Sequence, residues 1–171
     1  MKHNVCFYKD GEEVWISRSV AVVCFTFAPV NGKWCVLANQ RGKGTPDFQG
    51  YWNAPCGYLD YNETTAECAI RETLEETGVK IHNPTFWSFN DIPDDGNQNV
   101  TFRYYTILPE AQQLNITTLE GGEENEVDSL KWIPIDEIDN YEWAFNHHLL
   151  IKILNCELQL YHIQPKTPHL I

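Results

Sequence analysis

Residues 57–79, GYLDYNETTAECAIRETLEETGV, constrain the fold of this chain more than any other segment. Neither glycine nor proline occurs between Thr64 and Thr77, so nothing there interrupts a helix. Asn62 or Thr64 can cap its start, and Gly78 suits the left-handed conformation that ends many helices. We therefore predict a helix from Thr64 to Thr77.

The predicted helix has an apolar face and an acidic face. Small and apolar residues recur at spacings of three and four and predict a stripe that packs on a sheet: Ala66, Ala69, Ile70, Thr73 and Thr77. Glu72, Glu75 and Glu76 fall on another stripe, where like charges repel. A bound cation would offset that repulsion, and Mg²⁺ prefers oxygen ligands such as carboxylates. Glu67 is interpreted as part of a solvated face.

The segments around this helix predict a sheet and a second helix. Residues 20–28 are apolar without polar alternation, which is typical of a central strand buried on both faces. Asn31-Gly32 predicts a tight hairpin turn that returns residues 34–39 antiparallel to that strand. Three more elements are predicted from periodicity: an alternating strand at 99–108, a strand at 127–135 and an amphipathic helix at 140–154.

Composition limits the functions that the chain can have. Its 171 residues fit one domain, residues 1–171, and its net charge of −12 argues against a protein that binds nucleic-acid phosphates through basic side chains. The most apolar run, residues 20–30, is too short to span a bilayer. The six cysteines are scattered and are expected to be reduced thiols. We therefore expect a cytoplasmic protein without membrane partners.

Eight residues in the first segment match a longer pattern, G-x5-E-x7-R-E-U-x-E-E-x-G-U, where U is a large apolar residue. They are Gly57, Glu63, Arg71, Glu72, Glu75, Glu76, Gly78 and Val79. So many fixed positions make a specific signal, and the chain resembles Nudix hydrolases. Gly50-Tyr51-Trp52 and Pro55-Cys56-Gly57 are similar to the run that precedes the family signature, with Cys56 in place of a glycine. The resemblance implies an α/β fold: an α/β/α sandwich with a mixed β-sheet.

The resemblance also implies a metal-dependent mechanism. Glu72, Glu75 and Glu76, with the Cys56 carbonyl, would hold Mg²⁺ or Mn²⁺, which lowers the pKa of a water that attacks phosphorus. Arg71 would orient a carboxylate, with Glu63 as the preferred partner. The general base would be a helix glutamate or a glutamate of the late acidic loop, GGEENEVDSLKW at residues 121–132. In that loop Glu126 is the first choice, ahead of Glu123 and Glu124.

The expected substrate is a small-molecule nucleoside diphosphate linked to another moiety. Arg41 and Lys43 would bind its phosphate, although a surface charge pair explains them about as well. Pro93 lies close to a proline that is typical of ADP-ribose hydrolases, which favours ADP-ribose or a nucleotide sugar. A nucleoside triphosphate pyrophosphohydrolase and a non-catalytic sensor domain are the alternatives. Members of the family are often homodimers.

Aromatic and histidine residues leave further alternatives open. Trp52, Trp132 and Trp143 are interpreted as core residues, and His147 and His148 as structural or exposed residues. Stacking of a nucleobase on Trp87, Phe89 or Tyr104 stays open: these residues flank the expected substrate side.

Overall fold

The computed structural model describes residues 5–93, 99–114 and 125–163. Its strands are β1 (Val5–Lys9), β2 (Glu12–Ile16), β3 (Val20–Val30), β4 (Lys33–Arg41), β5 (Trp52–Asn53), β6 (Cys56–Tyr58), β7 (Thr85–Asn90), β8 (Val100–Ile107) and β9 (Val127–Pro134). Its α-helices are α1 (Thr65–Thr77) and α2 (His147–Ile163), and two short 3₁₀ helices span Ile135–Asn140 and Ala144–Asn146. Glu123 and Glu124 lie outside the described residues.

The main sheet is mixed and has β3 near its centre. Its strand order is β5-β4-β3-β8-β7, with β6 also paired to β3 and β9 to β4. The β3–β8 pair is parallel, whereas β3 pairs with β4 and β6 antiparallel. Residues 22–28 of β3 are all buried, which confirms the predicted central strand. Asn31 and Gly32 have φ angles of 49° and 79° and form the predicted hairpin turn.

One helix covers each face of this sheet. Val22 and Cys24 of β3 share a buried cluster with Cys68 and Ala69 of α1. The alternate residues of β3 pack in a second cluster with Ile151, Leu154 and Leu158 of α2: Val23, Phe25 and Phe27. Because successive side chains of a strand point to opposite faces, the two helices lie on opposite sides. The predicted α/β/α sandwich is confirmed.

Helix α1 has strong capping interactions at both ends. The Thr64 hydroxyl accepts a hydrogen bond from the Glu67 backbone N–H, and the Glu67 carboxylate accepts one from the Thr64 backbone N–H. Gly78, with φ of 72°, donates its backbone N–H to the Leu74 carbonyl. Glu67 is exposed, as predicted, and this reciprocal cap gives it a structural role that the sequence interpretation missed.

The prediction of a helix over residues 140–154 is wrong at its start. Trp143 is extended and forms an isolated bridge with Trp52, and Phe145 and Asn146 have φ angles of 54° and 57°. Helix α2 begins only at His147, whose buried Nδ1 accepts a hydrogen bond from the Ala54 backbone N–H at 3.1 Å. This tertiary contact fixes the start of the helix and confirms a structural role for His147.

Other sequence predictions have mixed outcomes. All six cysteines are free, and Trp52 and Trp143 lie in the core. Strands β1, β2, β5, β6 and β7 were not predicted. Trp132 is partly buried and donates its indole N–H to the Gln112 carbonyl. Within the described residues, no helix combines the length and apolarity that crossing a membrane requires.

We expect the protein to lose stability below pH 6.5 because of His147. Burial, followed by the charge of Arg103, lowers the His147 pKa from 6.5 to about 3. The unfolded chain therefore binds a proton between those pH values that the folded protein excludes, so stability falls as the pH falls through this window. His147 alone contributes a slope of about 1.4 kcal/mol per pH unit, and proton uptake by Glu76, whose pKa is raised by burial, opposes it. Urea unfolding at several pH values measures it in the wild type.

The matched variants for this prediction are His147→Asn and the exposed His82→Asn. His147→Asn is expected to flatten the pH dependence while lowering stability at neutral pH. His82→Asn is expected to keep the wild-type slope. Identical slopes in the wild type and His147→Asn would contradict the prediction.

Candidate active site

Arg71 binds three of the predicted site carboxylates at once. Its Nε and Nη2 donate to the two oxygens of Glu63 at 3.1 and 2.7 Å. Its Nη1 donates to Glu72 at 2.7 Å and to Glu75 at 2.9 Å. Nη2 also donates to the Tyr58 carbonyl at 3.0 Å, which ties the guanidinium to β6. The structure therefore brings Glu63, Glu72 and Glu75 together around the guanidinium group of Arg71.

The pKa values of Glu63 and Glu72 are shifted in opposite directions. Hydrogen bonds from Arg71 lower the Glu63 pKa to about 2, and burial of the carboxylate opposes that shift only partly. The pKa of Arg71 is raised, first by the hydrogen bond to Glu63. For Glu72, burial outweighs the charge of Arg71, and its pKa is raised. Glu63 is thus firmly ionised, whereas Glu72 lies in a less polar environment.

Glu76 faces a different partner. Its carboxylate accepts a hydrogen bond from the Cys56 backbone N–H at 3.0 Å. Burial of the carboxylate is the largest cause that raises its pKa well above 4.5, and the negative charges of Glu72 and Glu126 add to it. Arg41 opposes the shift through its charge. An added cation here would stabilise the ionised form of Glu76.

Gly57 leaves room for the Glu72 side chain. A Cβ atom at position 57 would lie 2.1 Å from Glu72 Oε1, so the Glu72 carboxylate would have to move to make room for it. Cys56, in place of the family's glycine, lies in strand β6 and has no positive φ angle, so its side chain imposes no backbone strain there. Its thiol accepts a hydrogen bond from Asn53 Nδ2 at 3.3 Å. That the Cys56 carbonyl binds metal stays a prediction.

We expect Gly57→Ala to impair activity more than stability. The new methyl group would displace the Glu72 carboxylate from Arg71 while leaving the core clusters intact. A loss of about 10- to 100-fold in kcat/KM is expected, because Arg71 would no longer orient Glu72 and the loss of such orienting contacts has effects of that size. The double variant with Glu72→Gln tests the cause: the two losses should be far from additive. Additive losses would contradict displacement of Glu72.

The late loop is joined to the loop after β4. Gly42 donates its backbone N–H to the Glu126 carbonyl at 2.7 Å, and Gly44 donates to the Asn125 carbonyl at 2.9 Å. A Cβ atom at Gly42 would lie 2.1 Å from Asn125 O. These contacts bring Glu126 close to Glu76, and the negative charge of Glu126 raises the pKa of Glu76. The two glycines were missed, and their spacing in RGKG was the available signal.

Arg41 is buried and already has a carboxylate partner. Its Nη2 binds Asp47 Oδ1 at 2.5 Å, its Nε donates to the Asp47 carbonyl at 3.0 Å, and its guanidinium lies 4.9 Å from the centre of the Phe145 ring. Lys43 is exposed. Phosphate binding by either residue stays a prediction, and Asp47 is a partner that sequence reasoning missed.

The donor set suits a hard divalent cation. No three His, Cys, Asp or Glu side chains among the described residues lie close enough together to form a metal site. Arg71 holds Glu72 and Glu75, while Glu76 faces the Cys56 N–H. All the predicted donors are oxygen atoms, and burial, followed by neighbouring carboxylates, raises the pKa of Glu72 and Glu76. Both facts fit Mg²⁺ or Mn²⁺ rather than a softer metal.

The fold and the arginine–glutamate cluster define a class, and comparisons with known proteins agree with it. The family model described as NUDIX domain matches residues 17–152. The chain belongs to the Nudix family and is a Nudix hydrolase.

Several curated relatives have similar sequences. An RNA pyrophosphohydrolase of Bartonella bacilliformis is 24% identical over 165 residues, which cover 88% of this chain and 86% of the relative. Phosphatase NudJ of Escherichia coli is 28% identical over 121 residues, covering 70% of each chain. At these identities the relatives support the family and do not fix the substrate.

Solved structures share the fold. The NUDIX domain of Shewanella oneidensis NrtR, complexed with ADP ribose, aligns with a TM-score of 0.70 at 23% identity, covering 84% of this chain and 90% of that one. A Caenorhabditis elegans Ap4A hydrolase aligns with a TM-score of 0.62 at 18% identity, covering 82% and 98%. At such identities the likeness concerns the fold alone.

Proposed function

We propose that this protein cleaves the pyrophosphate bond of a nucleoside diphosphate linked to another moiety, with the help of Mg²⁺ or Mn²⁺. The observation that carries the proposal is the contact of Arg71 with three carboxylates, beside a Glu76 carboxylate whose pKa is raised by burial. Arg71 fixes the positions of Glu72 and Glu75. One guanidinium cannot neutralise all the neighbouring carboxylates, so net negative charge remains to attract a metal ion.

In the proposed reaction, each site residue would have a separate role. Glu72, Glu75 and Glu76 would hold the metal ion, with the Cys56 carbonyl as a further oxygen ligand. When bound, the metal neutralises the diphosphate and lowers the pKa of a bound water. Glu126 would accept the proton of the attacking water as a new oxygen–phosphorus bond forms. The bridging phosphorus–oxygen bond then breaks, and its electron pair leaves with the phosphate product. Arg71 is a positioning residue.

ADP-ribose or a nucleotide sugar is the preferred substrate class. Pro93 and the ADP-ribose complex of the NrtR domain support this choice. A nucleoside triphosphate is the second candidate, and the relatives named RNA pyrophosphohydrolase make RNA a further compound to test. A sensor function is the third, since NrtR has also been crystallised with a 27mer DNA. We propose a cytoplasmic enzyme that acts on small molecules rather than nucleic acid, without a membrane partner, and that can form a homodimer.

The experiment is a substrate panel with Mg²⁺, with Mn²⁺ and with chelator. It contains ADP-ribose, nucleotide sugars, dinucleoside polyphosphates, NADH, nucleoside triphosphates and a 5′-triphosphorylated RNA. Metal-dependent turnover of diphosphate derivatives is the expected result. Turnover of triphosphates alone would overturn the substrate class, and tight binding without turnover of any compound would favour a sensor.

A further inference from the structure

A row of directly opposed residues crosses four neighbouring strands on the α2 side of the sheet. Val23 of β3 pairs with Cys56 of β6 at one edge and with Arg103 of β8 at the other, and Arg103 pairs with Ser88 of β7. Val23 and Cys56 pack in the cluster that contacts α2. Neighbouring strands lie about 4.8 Å apart, so the backbones of Cys56 and Arg103 are separated by about 10 Å.

Among the described residues, Arg103 is a partly buried cation without a carboxylate counter-charge. Its Nε atom is enclosed and has no hydrogen-bond partner in that part of the chain, and burial is the cause that lowers its pKa. No carboxylate within 5–93, 99–114 or 125–163 forms an ion pair with it, in a chain with twice as many acidic as basic residues. By contrast, Arg41 and Arg71 both bind carboxylates. A buried charge is unfavourable unless a partner neutralises it.

Other polar atoms between the sheet and α2 also lack partners in the described part of the chain. They are Ser88 Oγ, His148 Nδ1 and Asn155 Oδ1. Ser88 is the strand neighbour of Arg103, whereas His148 and Asn155 lie two turns apart on one stripe of α2. The charges of Arg103 and His148 both lower the pKa of His147, so both residues lie near it. Arg103, Ser88 and His148 can donate hydrogen bonds to one ligand, whereas Asn155 Oδ1 can only accept one.

We infer that Arg103, with Ser88 and His148, forms a second anion-binding subsite that takes a phosphate group on the ribose of the substrate. This inference rests on the proposed function, which puts the scissile pyrophosphate beside Cys56 and Glu76. Because Val23 is buried in the core, the ribose lies beside the row rather than on it, and the long Arg103 side chain reaches a phosphate on its 2′ or 3′ oxygen. That phosphate is either a monoester or the next phosphodiester of an oligonucleotide.

The first test measures binding alone, in the presence of chelator. Calorimetry compares adenosine 5′-monophosphate with adenosine 2′,5′- and 3′,5′-bisphosphate. The wild type is expected to bind one bisphosphate at least tenfold more tightly than the monophosphate, equivalent to about 1.4 kcal/mol. Arg103→Gln should lose this difference and bind the monophosphate as the wild type does. The control is Lys152→Gln, which removes an exposed cation of helix α2 that pairs with Asp139, and it should keep the difference.

The second measurement excludes a merely structural role of Arg103. If Arg103 binds an anion, its charge is uncompensated in the ligand-free protein. Arg103→Met removes that charge and should raise the melting temperature of the ligand-free protein. Added bisphosphate should raise the melting temperature of the wild type and leave that of Arg103→Met unchanged. A lower melting temperature of ligand-free Arg103→Met, with equal responses to bisphosphate, would overturn the inference.

Turnover then separates the two sources of phosphate and the two proposals. The pairs are 3′-dephospho-CoA with CoA, ADP-ribose with its 2′-phosphate, and ATP with a 5′-triphosphorylated dinucleotide. An Arg103-dependent preference within the first two pairs assigns a monoester, and one within the third assigns a phosphodiester. Hydrolysis of every compound without any preference overturns the subsite and leaves the hydrolase intact. Arg103-dependent binding without hydrolysis supports the subsite and overturns the proposed function.

Discussion

Glu76→Gln is expected to lower kcat/KM by about 100-fold or more while leaving the fold intact. The amide keeps an oxygen that can accept the Cys56 backbone N–H, and it removes the negative charge that a cation needs. Because burial and neighbouring charges disfavour the ionised carboxylate, the metal-free variant should be as stable as the wild type or more stable. Steady-state kinetics over a range of Mg²⁺ concentrations, together with urea unfolding in chelator, measures both effects.

The control for this prediction is Glu67→Gln on the same helix. Glu67 is exposed and accepts the Thr64 backbone N–H, a contact that glutamine also makes in this capping motif. Activity and its dependence on Mg²⁺ should stay close to those of the wild type. Equal losses of activity in the two variants would show that the acidic stripe of α1 has no special role.

Arg71→Gln is expected to damage stability and activity together. The guanidinium binds Glu63, Glu72 and Glu75, and its side chain is only 27% exposed. Its removal leaves three neighbouring carboxylates to repel one another, and the free energy of unfolding should fall by about 3 kcal/mol. Arg71→Lys should recover little, because an ammonium group cannot bind Glu63 through two parallel hydrogen bonds. Urea unfolding and kcat/KM are the measurements.

The matched control is Lys33→Gln, which removes an exposed ion pair with Glu137. Exposed pairs contribute at most about 1 kcal/mol, so this variant should lose little stability and no activity. Low pH adds a second readout: the Glu63 pKa is lowered to about 2, so the stability that its pair provides should persist down to about pH 5 and be lost as the pH falls toward 2. An Arg71→Gln variant with wild-type stability would contradict the role assigned to the cluster.

Sequence reasoning was most successful where local signals agreed with the tertiary structure. For α1, the capping residues, the spacing of apolar residues and the absence of glycine and proline all predicted a helix. Strand β3 was a long apolar run between turn residues. Strands β5 and β6 have only two and three residues, which is too short for any periodicity. The start of α2 was mispredicted because Phe145 and Asn146 adopt left-handed conformations that tertiary contacts impose.

In the candidate site, too, some contacts could be predicted from the sequence and others could not. The signature identified Glu63 and Arg71 as a pair, and the structure has that pair. Sequence spacing could not show that Glu76 turns to the Cys56 backbone or that Asp47 neutralises Arg41. Such contacts depend on strand pairing across long separations. Arg103, which has no carboxylate partner among the described residues, was visible in sequence only as a polar residue in an alternating strand.

The joining of the late loop to the loop after β4 has a consequence for the order of folding. Those hydrogen bonds form next to the pairing of Arg41 with Val127, which lie far apart in sequence. Pairings of such long range form slowly, whereas α1 with its cluster can form locally. A refolding chain would thus acquire its acidic helix before Glu126 arrives beside it. Return of hydrolytic activity would then report closure of the whole sheet rather than formation of the helix.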